Sequence, residues 1–215
     1  MNISIVITQP MINKLFFLAA FSLLLSACNE DKALPIFGKT KIEGSDTIYH
    51  EIPDFNFMNQ DSVMVNNEDL KDYIYISDFF FMSCPSICPK VKRQMLKIYD
   101  QFESEPLVKL VSHTIDPKRD TPEKLKMYAS NLEVDTKKWW FLTAEKGEVM
   151  EIADEYFVVA YEDPEAPGGF DHSGKIILVD KDRHIRAFAE GTDPEDVDRF
   201  IKDIEILVNE YKTKG

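Results

Sequence analysis

The sequence predicts an α/β domain, a central mixed sheet flanked by helices with a β-hairpin near its N-terminal end. Three observations carry this. Short apolar runs of strand length alternate with longer amphipathic runs of helical period. The run at residues 73–81 is apolar almost throughout, as strands covered on both faces are. Late in the chain, two strand-like runs are separated by only Lys181-Asp182-Arg183, the mark of a hairpin.

The elements follow in order. Residues 47–52 alternate and read as a strand. Residues 53–57 and 63–65 read as a hairpin turning at 59–62. The buried strand at 73–81 precedes an amphipathic helix at 90–102, and residues 107–114 form the next strand. Asp120-Thr121-Pro122-Glu123 opens a helix, with Asp120 as capping residue, a proline in the first turn and an acid three residues on. A strand at 139–143, a helix at 147–156 and a short strand at 157–161 come next. Residues 174–180 and 184–189 make the late hairpin, and 194–211 the closing helix. Strand, helix, strand, helix, strand hairpin and last helix is the thioredoxin-like order, with helices needed on both faces of the parallel part.

The first residues fall outside that domain. In residues 11–27 a single lysine, Lys14, precedes an apolar stretch too short to span a bilayer comfortably, so the segment reads as a signal peptide. Leu25-Ser26-Ala27-Cys28 has the small residues and terminal cysteine of a lipobox, so Cys28 is expected to carry lipid and become the mature N-terminus. Residues 1–10 lack a basic segment, which makes Met11 the expected start. Residues 28–45 are expected to form a flexible tether, and one domain fills 46–215. The expected location is extracytoplasmic, anchored by lipid to a bacterial membrane. With Cys28 assigned to lipid, the chain's three cysteines leave one matched pair. Thiols oxidise readily outside the cytoplasm, so a pair that must stay reduced needs a reductant. A net charge of −13 argues against a nucleic-acid partner and suits a cationic one.

That pair is Cys84 and Cys88, in Met82-Ser83-Cys84-Pro85-Ser86-Ile87-Cys88-Pro89. It sits at a strand-to-helix turn, where backbone N–H groups and the helix dipole favour thiolate. Spacing of i and i+4 puts both sulfurs on one helical face, able to hold one ion or to close a disulfide. A purely structural disulfide is a third reading. Asp78 lies six residues before Cys84, inside the apolar strand, at the offset of the buried aspartate of thioredoxins. Such a carboxyl is partnered, raised in pKa, or turned to solvent at an edge.

Three segments in order then resemble the SCO/SenC family: Phe81 to Pro89, Ile115-Asp116-Pro117-Lys118-Arg119-Asp120-Thr121-Pro122-Glu123, and Phe170-Asp171-His172-Ser173. The resemblance runs from about residue 52 to 212. It implies a thioredoxin-like, membrane-anchored protein associated with assembling the copper centre of cytochrome c oxidase. It implies copper, as Cu(I) or Cu(II), on Cys84, Cys88 and His172, and as partners the oxidase copper-site subunit, a copper donor and a thiol reductant. Two departures stand out: a lipid in place of the transmembrane helix of many members, and Ser86 where an aspartate is frequent.

Soft copper(I) prefers thiolates, and an imidazole completes such a site. His172 follows the loop at 164–169, just before a strand, and can be brought to the thiols. Asp171 is expected to orient it as a hydrogen-bond acceptor or else to occupy a turn. Met82 is expected to pack, and His50, His113 and His184 to be ordinary surface residues. Arg119 and Asp120 are expected to form a loop salt bridge and a helix cap. Two classes of function remain, a copper metallochaperone and a thiol–disulfide oxidoreductase, with a peroxide-scavenging or redox-sensing thiol protein behind them. His172 favours copper, because dithiol exchange does not require it.

Overall fold

The computed structural model describes residues 33–214. The expected signal peptide and Cys28 lie outside them. The domain runs β1 (Lys41–Glu43), β2 (Asp46–Ile48), β3 (Asn56–Asn59), β4 (Met64–Asn66), β5 (Ile74–Phe80), α1 (Cys88–Phe102), β6 (Val108–Thr114), α2 (Pro122–Asn131), β7 (Trp139–Thr143) and α3 (Lys146–Glu155). It continues β8 (Ala160–Glu162), β9 (Phe170–His172), β10 (Lys175–Val179), β11 (Ile185–Glu190) and α4 (Pro194–Lys214).

Seven strands form the main sheet in the order β11-β10-β5-β6-β7-β3-β4. β5, β6 and β7 are parallel and the other pairings antiparallel, a mixed sheet as expected. Every residue of β5 and β6 is buried, because layers cover both faces of the parallel core. Successive side chains alternate between those layers. Phe80, Trp139 and Phe141 meet Tyr99 of α1 and Tyr128 of α2 on one side. Phe79 and His113 meet Phe55, Phe57 and Tyr156 on the other. This arrangement sends the C-terminal end of β5 straight into the cysteine loop, beside β10.

Several expectations need correction. The strand at 47–52 shrinks to β2, and its partner β1 falls inside the stretch read as tether. Part of that stretch is fastened to the domain. Phe37 bridges Ile185 on the edge strand β11 and packs on Phe188 at 5.3 Å between ring centroids. The Leu34 and Pro35 carbonyls accept from the guanidinium of Arg186, which also pairs with buried Asp180. A buried guanidinium needs several acceptors, and the strap supplies two. The strand at 157–161 starts later, at Ala160, because Phe157 turns the chain out of α3 with φ of 57°.

His113 is not a surface residue. It is fully buried on β6, and neither ring nitrogen has a hydrogen-bond partner. Asp120 is not the helix cap either. Thr121 holds that position without a side-chain bond. The Asp120 carboxylate instead accepts from Thr114 Oγ1 at 2.6 Å and from Met82 N at 3.0 Å. It therefore ties the second motif to the cysteine loop, a non-local use of a residue that looks like a local one.

Candidate metal centre

β5 ends at Phe80 and the chain turns through residues 81–87 into α1. Only Cys88 is helical, at the first position of α1, with Pro89 where a missing N–H costs nothing. Cys84 sits in the preceding turn, its N–H donating to the Phe81 carbonyl at 3.2 Å. The two sulfurs are thus brought together by a turn, not by one helical face. Both thiols are free and buried.

His172 arrives from the other side. It ends β9, which pairs with β8 in a separate two-stranded ribbon, so it belongs to a strand and not to the loop before one. Its Nε2 lies 3.3 Å from Cys88 Sγ and 4.0 Å from Cys84 Sγ. The three donor atoms all lie within 4.8 Å of one another. Nδ1 faces the Ser173 carbonyl at 3.2 Å, which leaves Nε2 as the nitrogen aimed at the sulfurs. Asp171 does not orient this ring. Its carboxylate points the other way on the ribbon and accepts from Tyr161 at 2.9 Å. Neighbours on a strand face opposite sides, so adjacency in sequence separates the two side chains.

The thiols differ electrostatically. Burial raises the Cys84 pKa, but hydrogen bonds from His172, the Cys88 backbone and side chain, and Ser86 outweigh it and bring the value down to about 6. Ser86 Oγ stands 3.6 Å from Cys84 Sγ, so the serine at this position supplies a polar contact without a charge. Cys88 is held well above the usual thiol range, by burial first and also by the neighbouring Cys84 and Asp78.

Asp78 is buried on central strand β5, at 4 % exposure, not at an edge. Burial lifts its pKa to about 7, against the hydrogen bond from Ser112. Ser112 in turn accepts from Trp139 Nε1 at 2.8 Å. With Cys88, these three residues border a small internal cavity of about 10 Å³. Asp78 therefore lies beneath the pair and contacts no proposed ligand by hydrogen bond. Met82 packs against the core. Sequence reasoning misses Ser112, a cross-strand neighbour of Asp78, and the true partners of Asp120, one of which comes from the distant cysteine loop. Two thiols and one imidazole, screened from water, form a donor set that fits a soft, low-coordinate cation.

The family model described as SCO1/SenC matches residues 44–209. The chain belongs to the SCO1/SenC family. Among its relatives is the SCO1 protein homolog of Bacillus subtilis, 30 % identical over 161 residues, covering 74 % of this chain and 83 % of that one. An SCO2-like protein of Rickettsia felis is 29 % identical, with 89 % and 93 % covered. Of solved structures, a SCO1/SenC family lipoprotein from Bacillus anthracis superposes with a TM-score of 0.66 at 26 % identity, covering 73 % of this chain and 94 % of that one. BsSco, a member of the Sco family of cytochrome c oxidase assembly proteins, gives 0.65 at 29 % identity, covering 74 % and 94 %. The thioredoxin-like expectation agrees with these family neighbours.

Proposed function

We propose that this protein is an exported, lipid-anchored copper metallochaperone that helps assemble the copper centre of a respiratory cytochrome c oxidase. One observation carries the reading: a turn, a helix start and a separate ribbon converge so that Cys84, Cys88 and His172 present two sulfurs and one nitrogen to a single point. Copper(I) is the cargo that such donors suit. BsSco, which shares the fold and the family, is described as an oxidase assembly protein, and the Bacillus anthracis relative as a lipoprotein. Among the described residues no helix is long and apolar enough to cross a membrane. The partners would be the oxidase copper-site subunit, a copper donor and a thiol reductant.

The test is metal analysis of the reduced protein. Wild type should bind one copper tightly, Cys84→Ala should bind none tightly, and His172→Ala should bind more weakly. Stoichiometric, tight binding by Cys84→Ala would refute the site.

A second reading rests on the split between the thiols. A sulfur with pKa near 6 beside one held far higher is suited to attack a disulfide and resolve the product. His172→Ala should leave formation of the Cys84–Cys88 disulfide largely intact. If oxidase assembly in cells survives His172→Ala but fails with Cys84→Ser, thiol exchange is the function.

A further inference from the structure

The ribbon that carries His172 is small. β8 and β9 pair over three residue positions and, among the described residues, join no other strand, which is marginal for independent order. Its connecting loop closes on itself through Asp163 N to Gly169 O, Ala166 N to Asp163 O and Gly169 N to Ala166 O. Something outside the ribbon must fix where it lies.

From α3, Lys146 pairs with Glu162 on β8, and two further contacts meet at one residue of the connecting loop. Gly168, at φ of 88°, lies flat on the cysteine loop. A Cβ there would stand 2.7 Å from Phe81 Cε2 and 3.4 Å from Pro85 Cδ. Its carbonyl accepts from Arg119 Nη2 at 2.8 Å. The guanidinium is itself aimed by an ion pair between Nε and Asp116, whose carboxylate is buried. Its centre lies 5.8 Å from the Phe170 ring. Phe170 packs on Phe81 at 5.2 Å, and Phe81 meets the His172 ring edge-on at 5.5 Å.

We propose that Arg119 is a positioning residue for His172: it latches the β8–β9 ribbon onto the cysteine loop, so that the imidazole stands ready over the thiols before metal arrives. Holding a ligand in place beforehand removes an ordering cost from binding. The affinity consequence rests on the copper reading, while the latch itself does not.

Amide hydrogen exchange on the reduced, metal-free protein tests the latch. Arg119→Gln should speed exchange at residues 160–172, Arg119→Lys should speed it less, and β5 and β6 should be unchanged. Arg119→Gln strands the buried Asp116 carboxylate, so the pair Asp116→Asn with Arg119→Gln is the control should the single variant fold poorly. Copper(I) affinity should fall about ten- to a hundred-fold in Arg119→Gln, as for residues that orient a metal-binding histidine. That loss should vanish in the His172→Ala background, since Arg119 acts through His172. Unchanged exchange at 160–172, or an equal affinity loss in both backgrounds, would overturn the proposal. Because exchange is read without metal, failure of the wild type to bind copper would refute the copper reading and leave the latch to be judged by exchange.

Discussion

Cys84 and Cys88 carry the same side chain in different surroundings. Cys84 is reached by hydrogen bonds that favour its thiolate, whereas Cys88 faces the interior beside Asp78. Only the thiolate attacks an alkylating reagent. Iodoacetamide at pH 7 should therefore label Cys84 of the reduced, metal-free protein well before Cys88. The Cys84 rate should climb through pH 6 and level off above pH 7. Removing His172 takes away a bond that favours the charged form, so His172→Ala should move the climb to higher pH. Peptide mass mapping of partly labelled protein reads both outcomes; equal labelling of the two cysteines at pH 7 would contradict them.

Strands β5 and β6 lie side by side and hold two buried groups with opposed titrations. His113 is pushed by burial from 6.5 to about 3, so the folded protein keeps it neutral while the unfolded chain protonates it. Its contribution is present above pH 6.5 and is lost as pH falls toward 3. Asp78 is raised from 3.8 to about 7, so the folded protein keeps the proton that the unfolded chain gives up. Its contribution is present below pH 3.8 and is lost as pH rises through 7. Each slope is at most about 1.4 kcal/mol per pH unit, and the two oppose each other where the windows overlap. Stability between roughly pH 4 and 6.5 should therefore change less than either group alone would make it. Asp78→Asn should steepen the acid-side loss, and His113→Phe should leave a decline toward neutral pH; urea unfolding across that range measures both. The pair also shows what a sequence can convey. β5 and α1 are readable because an apolar run and an amphipathic run announce burial locally, and the three family segments announce Cys84, Cys88 and His172. His113 is misread because residue type suggests surface, while its place on a central parallel strand decides burial. Asp120 and Asp171 are misread for a related reason: a helix cap and an acceptor beside a histidine are both sought among sequence neighbours, but Thr114, Met82 and Tyr161 are the partners the fold supplies.

At the scale of the molecule, a net charge of −13 gives no attraction to an anionic bilayer, so the proposed membrane location needs an anchor of another kind. A lipid on Cys28 is the proposed means. Cys28→Ser should shift the protein from the membrane fraction to the soluble one or halt its processing, and unchanged membrane partitioning of a normally processed variant would defeat the reading. The strap at Leu34 to Phe37 then acquires a meaning of its own. Because Arg186 and β11 hold it, the strap belongs to the folded domain and adds no slack between that domain and a lipid at Cys28. Under the proposed lipid anchor the domain would stay close to the lipid surface. Encounters would then become a lateral search across a plane, at a local concentration set by tethering and not by the surrounding volume. A recipient whose metal site stands far above the membrane would be out of range, so with that anchor the strap would select partners by height.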